Sequence, residues 1–187
     1  MGINGTSLRW FKNYLGGRSQ KVDINGSLSR SRNLDISVLQ GSILGPILFL
    51  CFINDLYSAS NLMKLMFADD TACLAAGKDL PELIVGVNAE LKKIANWFRS
   101  NRMALNTEKT KFMIFHTKGK TINPNLYQLS YDANEIGKPI DPNLVSHIEC
   151  VPHYKLLGVT IDDKMTFDSH VKILSGKIAK SLFCIRL

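Results

Sequence analysis

Two aspartates, Asp69 and Asp70, stand side by side inside the oily stretch MKLMFADDTACLA, residues 63–75. Ionised carboxylates repel each other, and each is costly to remove from water unless it is paired. Held at the tip of a strand–turn–strand, two carboxylates make a binding geometry for hard cations such as Mg²⁺. A bound cation cancels the repulsion between them. Aspartate also favours turns through its own hydrogen bonding, so the dipeptide by itself fits a solvated turn equally well. A second pair, Asp162–Asp163 in VTIDDK, serves as an internal control. A polar, helix-starting segment follows it where an apolar strand follows the first pair, and it reads as a solvated turn. His147, Cys150 and His153 have ligand-like types at regular spacing but lack an evident fourth ligand, so a zinc centre is not expected there.

These residues need elements to position them. Residues 63–75 read as strand, tight turn, strand, with the aspartates at the turn. Upstream, SLRWFKNYLGG suits a short helix ending at Gly16-Gly17, and QKVDING closes in an Asn25-Gly26 hairpin turn. Gly41, Gly45 and Pro46 bend the chain into a helix over about 47–57, apolar on every side and therefore expected in the interior, a strand being the competing reading of so apolar a run. Asp79, Pro81 and Glu82 form a helix-opening capping pattern. The stripe Leu83, Ile84, Val87, Leu91, Ile94 and Phe98 carries that helix to about Ser100, with Trp97 and Phe98 read as packing residues. KTKFMIFHT, segments near 126–131 and 145–151, and YKLLGVTID read as strands, and a last helix starts near Phe167. Helices and strands mix without a βαβ rhythm, which predicts an α+β fold.

The 187 residues are enough for one compact domain, with two small subdomains possible. A composition of 45% hydrophobic and 21% charged residues is that of an ordinary globular protein. The charge of +7, from 23 Lys and Arg against 16 Asp and Glu, favours polyanionic partners. Lys111, Lys118, Lys120, Lys172, Lys177 and Lys180 are placed to follow a nucleic-acid backbone or simply to keep the chain soluble. Cys51, Cys73, Cys150 and Cys184 are widely separated and read as small buried hydrophobes in a reducing compartment. No signal peptide opens the chain, and ILGPILFLCFI is too short to span a bilayer. A soluble intracellular protein, in nucleus or cytoplasm, is expected.

Four segments in order, LQGSILGPILFLCFINDL, MFADDTACL, WFRSNRMALNTEKTKFMIF and YKLLGVTIDD, resemble the palm motifs of reverse transcriptases, most of all those of non-LTR (LINE-type) retrotransposons. The resemblance implies a palm-type antiparallel sheet packed on helices. It places a partial reverse transcriptase domain at 1–165, with a primer-grip-like hairpin near 154–162, and a thumb-like helical region at 166–187. It implies an RNA-directed DNA polymerase that extends a primer 3′-hydroxyl by a two-metal mechanism, using Mg²⁺ or Mn²⁺. The implied partners are an RNA template, a DNA primer and deoxynucleoside triphosphates.

Position by position, Asp69 and Asp70 match the aspartates of the F-x-D-D box, Asp69 being the more direct metal ligand. Phe67 and Ala68 line the same turn near the primer end. Gln40, Gly41 and Ser42 match the segment beside the incoming nucleotide. Lys109 matches a lysine proposed to protonate the departing pyrophosphate, although its spacing alone describes only a surface charge at a strand entrance. Leu157 and Gly158 match the hairpin that grips the primer. Leu39 departs from the family pattern, which usually has proline there. The family's first carboxylate belongs to an A-F-D-like segment that precedes the region matching this chain, and the fingers precede it too. Asp23 and Asp35 do not have the context to replace it. The chain is therefore expected to be inactive alone, or to be a non-catalytic nucleic-acid-binding remnant of a palm.

Overall fold

The computed structural model describes residues 2–34, 38–39, 41–132 and 145–185. The chain divides into two compact units, Met1–Asp55 with Met66–Asp70, and Leu56–Leu65 with Thr71–Leu187.

The first unit opens with α1 (Gly5–Leu15), which ends where the Gly16 N–H bonds back to the Lys12 carbonyl at 2.9 Å. Two nested hairpins follow. β1 (Arg18–Gln20) pairs with β4 (Arg32–Leu34), and β2 (Asp23–Ile24) pairs with β3 (Ser27–Leu28) across Asn25-Gly26, as the sequence predicts. The Asp23 carboxylate accepts the Gly26 N–H at 2.9 Å and so closes the turn. Helix α2 (Leu44–Ile53) continues into a 3₁₀ helix (Asn54–Ala59). The expected interior position of α2 is not observed. Only Gly45 and Ile53 are buried in it, while Ile43 before it and Ile47, Leu50 and Phe52 on it stand exposed. A helix that is apolar all round has no polar face to set its orientation, and here most of its circumference stays in water.

The core lies in the second unit. There α3 (Leu80–Ser100) packs on β8 (Leu129–Asp132). Ala95, Leu129, Tyr131 and Ile148 are buried together, with Ile84, Val87, Leu91, Leu105 and Phe112 against them. The predicted capping is present: the Asp79 carboxylate accepts the Glu82 N–H at 2.9 Å, with Pro81 in the first turn. Phe98 is buried and meets Trp97 edge-on at 5.4 Å, which is the packing role expected of the pair.

β8 runs antiparallel to β9 (Val145–Cys150), whose other edge takes β7 (Lys111–Phe112) in parallel. The strand expected over residues 109–117 is thus two residues long. Beyond it the extended chain makes single bonds, Val151 N–H to the Phe112 carbonyl and His116 N–H to the Asp163 carbonyl. A hairpin of β10 (His153–Leu156) and β11 (Val159–Asp162) precedes α4 (Asp168–Ile185), which contacts β11. The described strands form four two-stranded ladders and one of three strands. The four cysteines are free, as expected, but Cys51, Cys73 and Cys184 are exposed and Cys150 half-buried, which corrects their assignment to the interior. Their apolar neighbours lie largely at the surface too, so local hydropathy misplaces them. No described helix is long and apolar enough to cross a membrane.

Candidate active site

The strand–turn–strand expected over residues 63–75 is present, with Asp69 in the turn and Asp70 opening the second strand. β5 (Met63–Phe67) and β6 (Asp70–Leu74) form a hairpin joined by Ala68 and Asp69 alone. A two-residue connection that matches strand twist needs a positive φ at its first residue. Ala68 supplies it at φ 52, without the glycine or asparagine that usually occupies such a place. Backbone strain of this kind costs about 1–3 kcal/mol and collects at functional sites. Asp69 and Asp70 are both exposed, and among the described residues neither accepts a hydrogen bond nor pairs with a cation.

The control pair behaves differently. Asp162 accepts the N–H groups of Lys164, Thr166 and Phe167 at 3.1, 3.0 and 2.7 Å, and the Thr166 hydroxyl at 3.1 Å. These bonds, led by the Thr166 N–H, hold its carboxyl below the ordinary aspartate range. Asp163 lies 3.5 Å from His116. Within the second pair Asp162 thus spends its oxygens on the entry to α4 and Asp163 faces His116, whereas the first pair has no such partner among the described residues.

The turn at 66–70 belongs to the same compact unit as the bend before α2. Gly41 takes φ 80 there, with open space where a Cβ would lie, so an alanine would be opposed by backbone angle and not by a clash. The Ser42 hydroxyl donates to the Leu39 carbonyl at 2.8 Å and accepts the Gly45 N–H at 3.0 Å. Ser42 thus fastens the turn that leads into α2. Gln40 and Asp35 lie outside the described residues.

Lys109, Leu157 and Gly158 belong to the second unit. Lys109 is exposed and its N–H is held by the Asn106 side chain at 3.0 Å. The Tyr154 hydroxyl donates to the Lys109 carbonyl at 3.3 Å, which ties the lysine to the β10–β11 hairpin. Sequence reading overlooked Tyr154, because one aromatic in a strand carries no signal of a bond formed 45 residues away. At the hairpin tip Leu157 takes φ 47 and Gly158 φ 88, both turn residues being left-handed. His147, Cys150 and His153 gather no metal set, and no group of three potential metal ligands occurs among the described residues.

With these elements in place, comparison with known proteins gives the class. The chain belongs to the reverse transcriptase (RNA-dependent DNA polymerase) family, whose model matches residues 1–161. Among curated proteins it is similar to the retrovirus-related Pol polyprotein from type-1 retrotransposable element R1 2 of Nasonia vitripennis. The two are 31% identical over 146 residues, which is 76% of this chain and 33% of that protein. It is also similar to two Drosophila melanogaster proteins. The RNA-directed DNA polymerase from mobile element jockey is 26% identical over 86% of this chain and 17% of its own length. The probable RNA-directed DNA polymerase from transposon X-element is 29% identical over 90% of this chain and 18% of its own length. The chain thus spans a third or less of the length of these relatives. No solved structure gave a significant match.

Proposed function

We propose that the chain carries the cation-binding turn and the primer-side hairpin of an RNA-directed DNA polymerase, and does not suffice for turnover alone. The observation that supports this reading best is the contrast between the two aspartate pairs. Asp162–Asp163 is engaged within the fold, whereas Asp69–Asp70 is exposed, unpartnered among the described residues, and mounted on a strained turn.

A divalent cation, Mg²⁺ or Mn²⁺, fits this donor set in part. Mg²⁺ keeps several waters and takes one or two carboxylates together with substrate phosphates, so two aspartates are enough to seat one ion. A pair of ions needs further carboxylate, and the described residues assemble no group of three potential ligands. When bound, the cations would neutralise charge on the triphosphate and on the oxygens that change partners.

The chain's own residues have the remaining work. Asp69 and Asp70 hold the cations, Asp69 more directly. Gln40, Gly41 and Ser42 lie along the incoming deoxynucleoside triphosphate, Gly41 allowing close backbone approach. Phe67 and Ala68 border the primer end, and Leu157 and Gly158 grip the primer backbone. Lys109 delivers a proton, or its positive charge, to the departing pyrophosphate. The DNA primer would be paired to an RNA template.

Primer extension on an RNA template tests the proposal. The 187-residue chain is expected to give no product. A longer chain that carries an upstream A-F-D-like segment is expected to extend the primer with Mg²⁺, and Asp69→Asn should lower that rate by about 100-fold or more. Extension that survives both Asp69→Asn and Asp70→Asn would refute the assignment. A second reading, a palm remnant that binds nucleic acid without chemistry, draws on the charge of +7 and the exposed Leu157 hairpin.

A further inference from the structure

Strand β5 is amphipathic the wrong way round. Met63, Leu65 and Phe67 point outward at 60, 53 and 65% exposure, while Lys64 between them is 5% exposed. A shift of one residue would turn the three apolar side chains inward and release the lysine to water. Burial of apolar area therefore favours the other register, and something specific must hold this one.

The Lys64 ammonium supplies it. Its three hydrogens go to three backbone carbonyls, Tyr57 at 3.1 Å, Ser60 at 2.6 Å and Leu62 at 3.1 Å, and it lies 5.7 Å from the centre of the Tyr57 ring. An ammonium has three donors, so the set is complete. Two of the carbonyls come from the C-terminal end of the 3₁₀ helix and the residue just beyond it, where unsatisfied carbonyls favour a cation. The same loop is held from its other side by α3. The Glu90 carboxylate accepts the Asn61 N–H at 2.7 Å and pairs with Lys93 at 2.6 Å.

We propose that Lys64 is a positioning residue that selects the register of the β5–β6 hairpin and thereby the presentation of Asp69 and Asp70. The functional half of this inference rests on the polymerase reading. The structural half does not. Lys64 stands five residues before Asp69, with no glycine between them.

Hydrogen exchange of the intact chain tests it, with Lys64→Met keeping the length of the side chain and removing the charge. Amides of residues 63–74 are expected to exchange at least tenfold faster, and those of β8 and β9 at the parent rate. The Ala68 three-bond HN–Hα coupling should leave its left-handed value. Unchanged hairpin exchange, or an equal rise throughout β8 and β9, would overturn the proposal. If Lys64→Met does not fold, Lys64→Ala titrated with ethylammonium decides. Recovery of hairpin protection with ethylammonium but not tetramethylammonium supports the cradle, and no recovery overturns it.

Mn²⁺ binding, read by electron paramagnetic resonance, separates the two halves. Binding that Asp69→Asn abolishes and Lys64→Met weakens several-fold supports both. A parent chain that ignores Mn²⁺ while Lys64→Met still loosens the hairpin overturns the cation-site reading and leaves the register role supported.

Discussion

Leu157 is 55% exposed and sits at φ 47, so a bulky apolar side chain occupies a backbone region that costs an L-residue about 1–2 kcal/mol and gains little burial there. Asparagine tolerates that region far better. Leu157→Asn should therefore stabilise the chain by about 1 kcal/mol and raise its melting temperature by roughly 2–4 °C, which a thermal scan would show. If the hairpin grips a primer, the same variant should bind nucleic acid less well, stability and binding moving in opposite directions. A lower melting temperature would mean that Leu157 makes packing contacts outweighing the strain. Single residues of this kind were only half legible. Leu157-Gly158 stood out through a family likeness, whereas the inward turn of Lys64 opposes the usual rule that lysines face water. Only the way the chain folds back just before it, aiming the carbonyls of Tyr57, Ser60 and Leu62 at its ammonium, reveals why it is inside.

Elements with a local signal were readable, and those that depend on distant partners were not. The cap at Asp79 and the stripe from Leu83 to Phe98 specify α3 from within its own sequence, and the structure agrees over Leu80–Ser100. The 63–75 hairpin follows from two short apolar runs parted by the acidic break between them. By contrast, β7 is short because pairing with β9 extends only from Lys111 opposite Glu149 to Phe112 opposite Cys150, a fact held 38 residues away. The start of α4 is a mixed case. Its position near Phe167 was expected, but the device that sets it is the Asp162 carboxylate, which sequence reading had assigned to a solvated turn. That device is pH-dependent. The Asp162 carboxyl is held below its ordinary value, so its stabilisation is full above the ordinary aspartate pKa of about 4 and fades as pH falls through the lower folded value. Amide protection at Lys164, Thr166 and Phe167 should accordingly drop on acidification below about pH 4, and should be low at every pH in Asp162→Ala. Protection that persists in the alanine variant would show that the backbone, not the carboxylate, sets the helix entry.

For the molecule as a whole, family membership was legible and activity was not. Four motifs in order point to a reverse transcriptase, and the family match over residues 1–161 agrees. Burial was legible only in part, since the core gathers around α3 and β8 while α2, the most apolar stretch, stays largely exposed. Net charge carries its own prediction. If the +7 chain follows a phosphate backbone, binding to a primer–template duplex should weaken with salt along a straight log–log line, with a slope of about −0.9 per phosphate contact. Fluorescence anisotropy across a salt series measures it. A flat line would remove both the polymerase and the remnant readings, whereas a steep line unchanged by Asp69→Asn would show that binding does not need the carboxylates.

Ala68 sets a limit on any attempt to make this chain sturdier. Swapping in the residue that best suits its torsion angle would ease the hairpin tip and, in the same stroke, hand wider freedom of movement to the two acidic groups beside it. Robustness and readiness pull against each other at one methyl group, and a consensus-minded redesign would blunt the tip without altering a single atom of its carboxylates.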